Sequence, residues 1–101
     1  MTVVRISTGR IDPARADEVA AALQASEATL RPAISSLPGL ITYCVGIDRD
    51  TSVITNTSIW QTREHAVAMS GLPEMAALRE TFQRLGVAFE PVANHDVLWE
   101  I

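Results

Sequence analysis

Apolar and polar positions along the chain change period several times, and each change marks an element. The first run, Thr2 to Arg10, is rich in β-branched residues, places Val3, Val4 and Ile6 close together and closes at Gly9, which predicts a strand. Asp12-Pro13 follows as a helix entry, with Asp12 able to accept from the exposed N–H groups of the first turn and Pro13 losing no intrahelical bond there. Val19, Leu23, Leu30, Ile34 and Leu37 then recur at spacings of three, four and seven, while Asp17, Glu18, Gln24 and Glu27 fall on the other side. That stripe is the expected core face of a long helix. Pro32 lies inside it and is expected to bend the helix or split it near Thr29, and Pro38-Gly39 ends it.

Leu40 to Asp48 reads as a second strand, Arg49 to Ser52 as a polar turn and Val53 to Trp60 as a third strand, so the pair forms a hairpin. Thr62 can cap a short helix running to about Ser70, and Gly71 breaks it. Pro73 opens another helix, with Met75, Leu78, Phe82 and Leu85 at helical spacing and Gly86 as its stop. After Pro91 the run Val92 to Ile101 is expected to close the chain as a fourth strand. The order β-α-β-β-α-β predicts an α+β, ferredoxin-like sandwich, with both helical regions on one face of a four-stranded antiparallel sheet.

The second face of that sheet needs a cover as well. Ile41, Tyr43, Val45 and Ile47 alternate with Cys44 and Gly46, and the first and last strands carry apolar groups on both sides, so neither face reads as solvated. No helix is left to serve, and the simplest second layer is a twofold-related copy. A homodimer through the sheet faces is therefore expected. Several hundred Å² of apolar surface per subunit would give a gross gain of roughly 10 kcal/mol before association entropy is subtracted.

Length and charge narrow the function. At 101 residues, 48 % of them hydrophobic and 20 % charged, residues 1–101 are expected to form one domain. The net charge is −4 and the basic residues are all arginines, scattered from Arg5 to Arg84, so nucleic acid is not an expected partner. Cys44 stands alone and the two histidines are far apart, which gives neither a disulfide nor a zinc spacing and fits a reducing cytoplasm. No leader pattern or membrane-length apolar run is present, so no membrane partner is expected. The Asn56-Thr57-Ser58 sequon carries no weight without such a leader.

Three features together resemble the antibiotic biosynthesis monooxygenase family of dimeric α/β barrel proteins. They are Leu37-Pro38-Gly39-Leu40-Ile41-Thr42-Tyr43 entering the second strand, a third strand ending in Trp60 before Gln-Thr-Arg-Glu-His-Ala, and the Leu72-Pro73 to Leu85 helix. The resemblance spans essentially the whole chain. It implies a dimeric α/β barrel and a cofactor-independent monooxygenase that oxidises a small aromatic or quinol-type substrate with molecular oxygen, using neither flavin nor metal. Members acting on polycyclic aromatics resemble this chain in pairing an asparagine with a tryptophan four residues on, matched here by Asn56 and Trp60. Even spacing puts both on one face of the strand with Ser58 between them. The Asn56 amide would donate to a substrate carbonyl or phenolate oxygen, and Trp60 would hold the ring.

The haem-degrading branch needs a histidine nine or ten positions beyond the tryptophan and an asparagine on the first strand. This chain has Met69 and Ser70 at the former and Val-Val-Arg-Ile-Ser-Thr over the latter, so haem is not expected. Tyr43 and His95 are further candidates for substrate contact, although Tyr43 reads equally as a core or dimer-face residue. His95 cannot pair directly with Asp96, because adjacent strand residues face opposite ways. His65 is either an acid or base at the pocket mouth or simply exposed. Cys44 reads as packing, and Met69, Met75 and Phe82 as core. The alternative to the oxygenase is a non-catalytic small-ligand-binding or scaffold module. A third class, an isomerase or lyase, would depend on His95 as its proton-transfer group.

Overall fold

The computed structural model describes all 101 residues. It contains β1 (Val3–Arg10), α1 (Ala16–Ser35), β2 (Leu40–Asp48), β3 (Val53–Trp60), α2 (Arg63–Ala68), α3 (Pro73–Arg84), β4 (Ala88–Phe89) and β5 (Ala93–Asp96). Short 3-10 turns, Pro13–Arg15 and Met69–Gly71, lead into α1 and α3. Asp12 caps the first of these by accepting from Ala14 N at 2.9 Å, and Thr62 caps α2 by accepting from His65 N at 3.2 Å. No helix is long and apolar enough to cross a membrane.

The sheet is antiparallel and five-stranded, with β1 at its centre: β3 and then β2 lie on one side, β4 and β5 on the other. One strand more than expected arises because the last strand is broken. Phe89 pairs with Gly9 and Ala93 with Ile6, so the register moves by one residue across the segment between them. Pro91 sits in that segment and has no N–H to give to the ladder. The expected strand to Ile101 also stops early. Val97 N donates to Thr2 O at 2.9 Å, just outside the paired strands, and the ladder goes no further. Leu98, Trp99 and Ile101 therefore run on exposed.

Pro32 does not split α1, which continues unbroken to Ser35. Its missing N–H orphans the carbonyl of Ala28, and both residues lie on the exposed side, where water can satisfy that group. The stripe along α1 packs as its spacing predicts. Leu30 and Ile34 join Val3, Trp60, Ala66 and Met69 in one buried cluster, while Val19 joins Ile11, Ile54, Phe82 and Val87 in a second. The helices thus cover a single face of the sheet and hold it at both ends.

Gly39 makes the tight passage from α1 into β2. Its φ is +83°, and a Cβ there would lie 2.2 Å from His65 Nδ1, so both backbone conformation and space demand glycine. Gly39→Ala is expected to cost about 1–3 kcal/mol of unfolding free energy. Adding His65→Ala should recover only part of the contact cost, because the Cβ kept at position 65 would still lie 2.8 Å from the new one, and about 1–2 kcal/mol of backbone strain remains as well. Urea denaturation of the single and double variants measures both parts, and equal losses would show that the histidine ring is not in the way.

Candidate functional site

Strand pairing arranges the helix-covered face in cross-strand rows. At one end Leu40, Trp60 and Val3 stand abreast, and at the other Ile47, Ile54, Gly9 and Phe89. Two polar rows lie between them. Tyr43, Ser58, Arg5 and Asn94 form one across β2, β3, β1 and β5, and Val45, Asn56 and Ser7 form the next. Neighbours in such a row have Cβ atoms about 4.5–5.5 Å apart, so these side chains share one local environment.

Under α1 and α3, beside these rows, is a cavity of about 200 Å³. Its apolar wall comes from both helices and the sheet, with Leu23, Leu30, Met75, Leu78, Phe82 and Phe89 prominent. Its polar wall includes Arg5, Ser7, Tyr43, Asn56, Ser70 and Arg79. Between α1 and the edge strand β2 lies an adjoining groove of about 520 Å³ that shares Leu23, Ser26, Leu30, Tyr43 and Val45 with the cavity. An apolar chamber with a few placed polar groups is the usual form of a small-molecule site.

Several of these polar groups are short of partners. Asn56 Oδ1 is buried with no hydrogen bond. Arg5 is only 5 % exposed; its Nη2 donates to Ser70 Oγ at 3.4 Å, while Nε and Nη1 have no partner. Burial, with the like charge of Arg79 adding to it and Tyr43 opposing it, pulls the Arg5 guanidinium below its ordinary pKa. An arginine nevertheless stays charged in a protein. Burial also pushes the Tyr43 hydroxyl up to about 12, against the opposing pull of Arg5. Tyr43 is therefore a proton-bearing donor at neutral pH and not a base. The cavity lining offers no carboxylate, imidazole or thiol to a metal.

No family model matches the sequence, and no curated protein matches it. Solved structures do match in fold. A candidate antibiotic biosynthesis monooxygenase from Chloroflexus aurantiacus aligns at 22 % identity and TM-score 0.66, covering 100 % of this chain and 97 % of that one. Another from Deinococcus radiodurans aligns at 18 % identity and TM-score 0.75, covering 98 % and 95 %. SnoaB from Streptomyces nogalater, a cofactor-independent oxygenase, aligns at 13 % identity and TM-score 0.70, covering 99 % and 96 %. The chain has the antibiotic biosynthesis monooxygenase fold.

Within that fold the five residues proposed from the sequence separate. Asn56 and Tyr43 line the cavity. Trp60 shares the face of Asn56 but is fully buried in the core, where Nε1 donates to Ser58 Oγ at 2.8 Å, and neither partner reaches the cavity wall. His95 pairs with Val4 and so occupies the opposite face of the sheet from Asn56, exposed. His65 Nδ1 lies 3.1 Å from Thr62 Oγ1 at the start of α2, and the ring is not part of the cavity wall. Arg5, Ser7, Met75 and Phe82 join the wall without having been singled out for it. Arg5 and Ser7 share even spacing on β1 with Val3, but apolar groups on both sides of that strand gave no way to tell which side faces the helices.

Tyr43 is the only tyrosine, so its ionisation can be followed directly at 295 nm. The folded protein is expected to titrate near pH 12, and not near the ordinary value of about 10. The sign for stability follows. Between about pH 10 and 12 the unfolded chain releases this proton and the folded one does not, so stability falls through that window. A folded-state midpoint near 10 would show the hydroxyl to be solvated.

Proposed function

We propose that this protein is a cofactor-independent monooxygenase that oxidises a small aromatic or quinol-type substrate with molecular oxygen, working as a homodimer joined through its uncovered sheet faces. The observation that carries the reading is the Asn56 amide, whose Oδ1 is buried without a partner on the wall of an apolar cavity. Such a group costs about 1–3 kcal/mol of unmet desolvation, which a substrate hydroxyl would relieve by donating to it. The amide NH₂ would donate to a substrate oxygen and favour the phenolate over the phenol. Tyr43, held protonated, supplies a second donor from the neighbouring row.

An ionised phenol or enol carries the electrons for the reaction itself. One electron passes to oxygen, the substrate radical and superoxide combine to form a C–O bond, and the hydroperoxide loses water to leave a carbonyl. For a ring methylene the sum is CH₂ plus O₂ to C=O plus H₂O, with all four electrons drawn from the substrate carbon. The cavity wall has no carboxylate or imidazole to take the first proton, so the substrate enters ionised or loses that proton to water. Trp60 acts in this reading as a positioning residue, fixing Ser58 at the middle of the sheet.

The dimer follows from the uncovered face. Val4 and Ile6 of β1 and Ile59 of β3 are neighbours there, half-buried, with no helix of their own chain over them, and Val53 stands at the far end of the same face beyond Thr55 and Thr57. A twofold-related sheet would cover them and turn two open sandwiches into one closed barrel. The alternative of a binding module without turnover is favoured by one observation: Trp60 does not reach the cavity.

Oxygen uptake by metal-free protein against hydroquinones and anthrones tests the activity. Turnover with at least one substrate is expected, and Asn56→Ala should reduce kcat about a hundredfold. Uptake with none of the panel would move the assignment to the binding module. For the assembly, sedimentation should give a dimer that Ile6→Arg dissociates, and a monomeric wild type would sink the proposed interface.

A further inference from the structure

Of the eight arginines in the chain, six are paired with carboxylates at the surface: Arg10, Arg15, Arg31, Arg49, Arg63 and Arg84. The two without a carboxylate partner are Arg5 and Arg79, and both line the cavity. No other charged side chain does. Twelve acidic residues were available to this chain, and none is placed against Arg5.

From this distribution we infer that the cavity binds an aromatic acid, its carboxylate accepting from the Arg5 guanidinium and its rings lying against the apolar wall of α1 and α3. The guanidinium of a residue only 5 % exposed, with two of its three nitrogens buried and unpartnered, is an uncompensated cation. A ligand carboxylate supplies the missing charge and the missing acceptors together, and the planar guanidinium suits that group. Ser7, the next residue on this face of β1, and Ser70, already bonded to Nη2, add hydroxyl donors beside it. Arg79 lies at the exposed end with its guanidinium 4.6 Å from the Phe89 ring centroid, where it would draw an anion inward. A neutral substrate would leave Arg5 unmet.

The inference rests on the reading of this cavity as the substrate site, but not on turnover there. Calorimetry at neutral pH without oxygen, using 2-naphthoate, its neutral analogue 2-naphthamide and inorganic phosphate, separates the two questions. Wild type should bind the acid about ten- to a hundredfold more tightly than the amide, with phosphate failing to compete. Arg5→Met and Arg5→Gln should each bring acid and amide to equal affinity, and ligand-free Arg5→Met should melt above wild type, because a buried unpaired charge has been removed. Equal affinity in wild type, a preference that survives both variants, competition by phosphate, or a lower melting temperature for Arg5→Met would each overturn the inference. A clear preference for the acid beside an absence of oxygen uptake would leave it standing and remove only the oxygenase reading.

Discussion

Side-chain alternation on β1 decides both what the cavity contains and what the outer face presents. The helices cover the side carrying Val3, Arg5, Ser7 and Gly9, and pairing with β3 then brings Trp60, Ser58, Asn56 and Ile54 to the same side. A slip of one residue would exchange every one of these for its neighbour. Two apolar clusters hold the register against such a slip, one around Trp60 and Met69 and the other around Ile54 and Phe82. The polar rows lie between these anchors, so the cavity is a gap that the two cores keep open rather than a defect in one of them.

The low dielectric that these clusters create explains the electrostatics of the site. Burial lowers the pKa of Arg5 and raises that of Tyr43, both shifts disfavouring charge, yet the arginine cannot discard its charge and the tyrosine can. The cavity at neutral pH is therefore cationic at Arg5 in its interior and at the exposed Arg79, and otherwise neutral. The surface pairs contribute little to this picture, since exposed ion pairs are worth about 0–1 kcal/mol each. They matter because they occupy six of the other arginines and leave Arg5 and Arg79 without a carboxylate.

Elements were legible wherever local chemistry determines them. Asp12-Pro13 and Thr62 act through groups within a few residues, Gly39 through its own backbone conformation as well as the approach of His65, and each appears where the sequence places it. The end of the last strand was not legible, because its length is set by where β1 begins, ninety residues earlier in the chain. Pro32 misled for a related reason: its effect depends on whether the orphaned carbonyl faces water, which only packing decides. At the site, Asn56 and Tyr43 could be found from spacing on their own strands. Arg5 could not, because Val3 on one side of β1 and Val4 and Ile6 on the other leave no pattern that says which side the helices cover.

The same alternation ties the site to the proposed assembly. A strand that turns an arginine and a serine toward its own helices must turn its valine and isoleucine the other way, so polar groups in the cavity leave apolar groups without cover outside. As a monomer the chain would bear the desolvation of Arg5 on one face and the hydration of Val4, Ile6, Val53 and Ile59 on the other. Covering the outer face relieves the second of these costs, at roughly 25 cal/mol per Å² of apolar area removed from water, and an anion in the cavity relieves the first. The two are physically independent, because they act on opposite sides of one sheet. Dimerisation can therefore supply stability that a cavity built around an unpaired cation does not, and the site can keep that cation available to a ligand without the fold depending on the ligand being there.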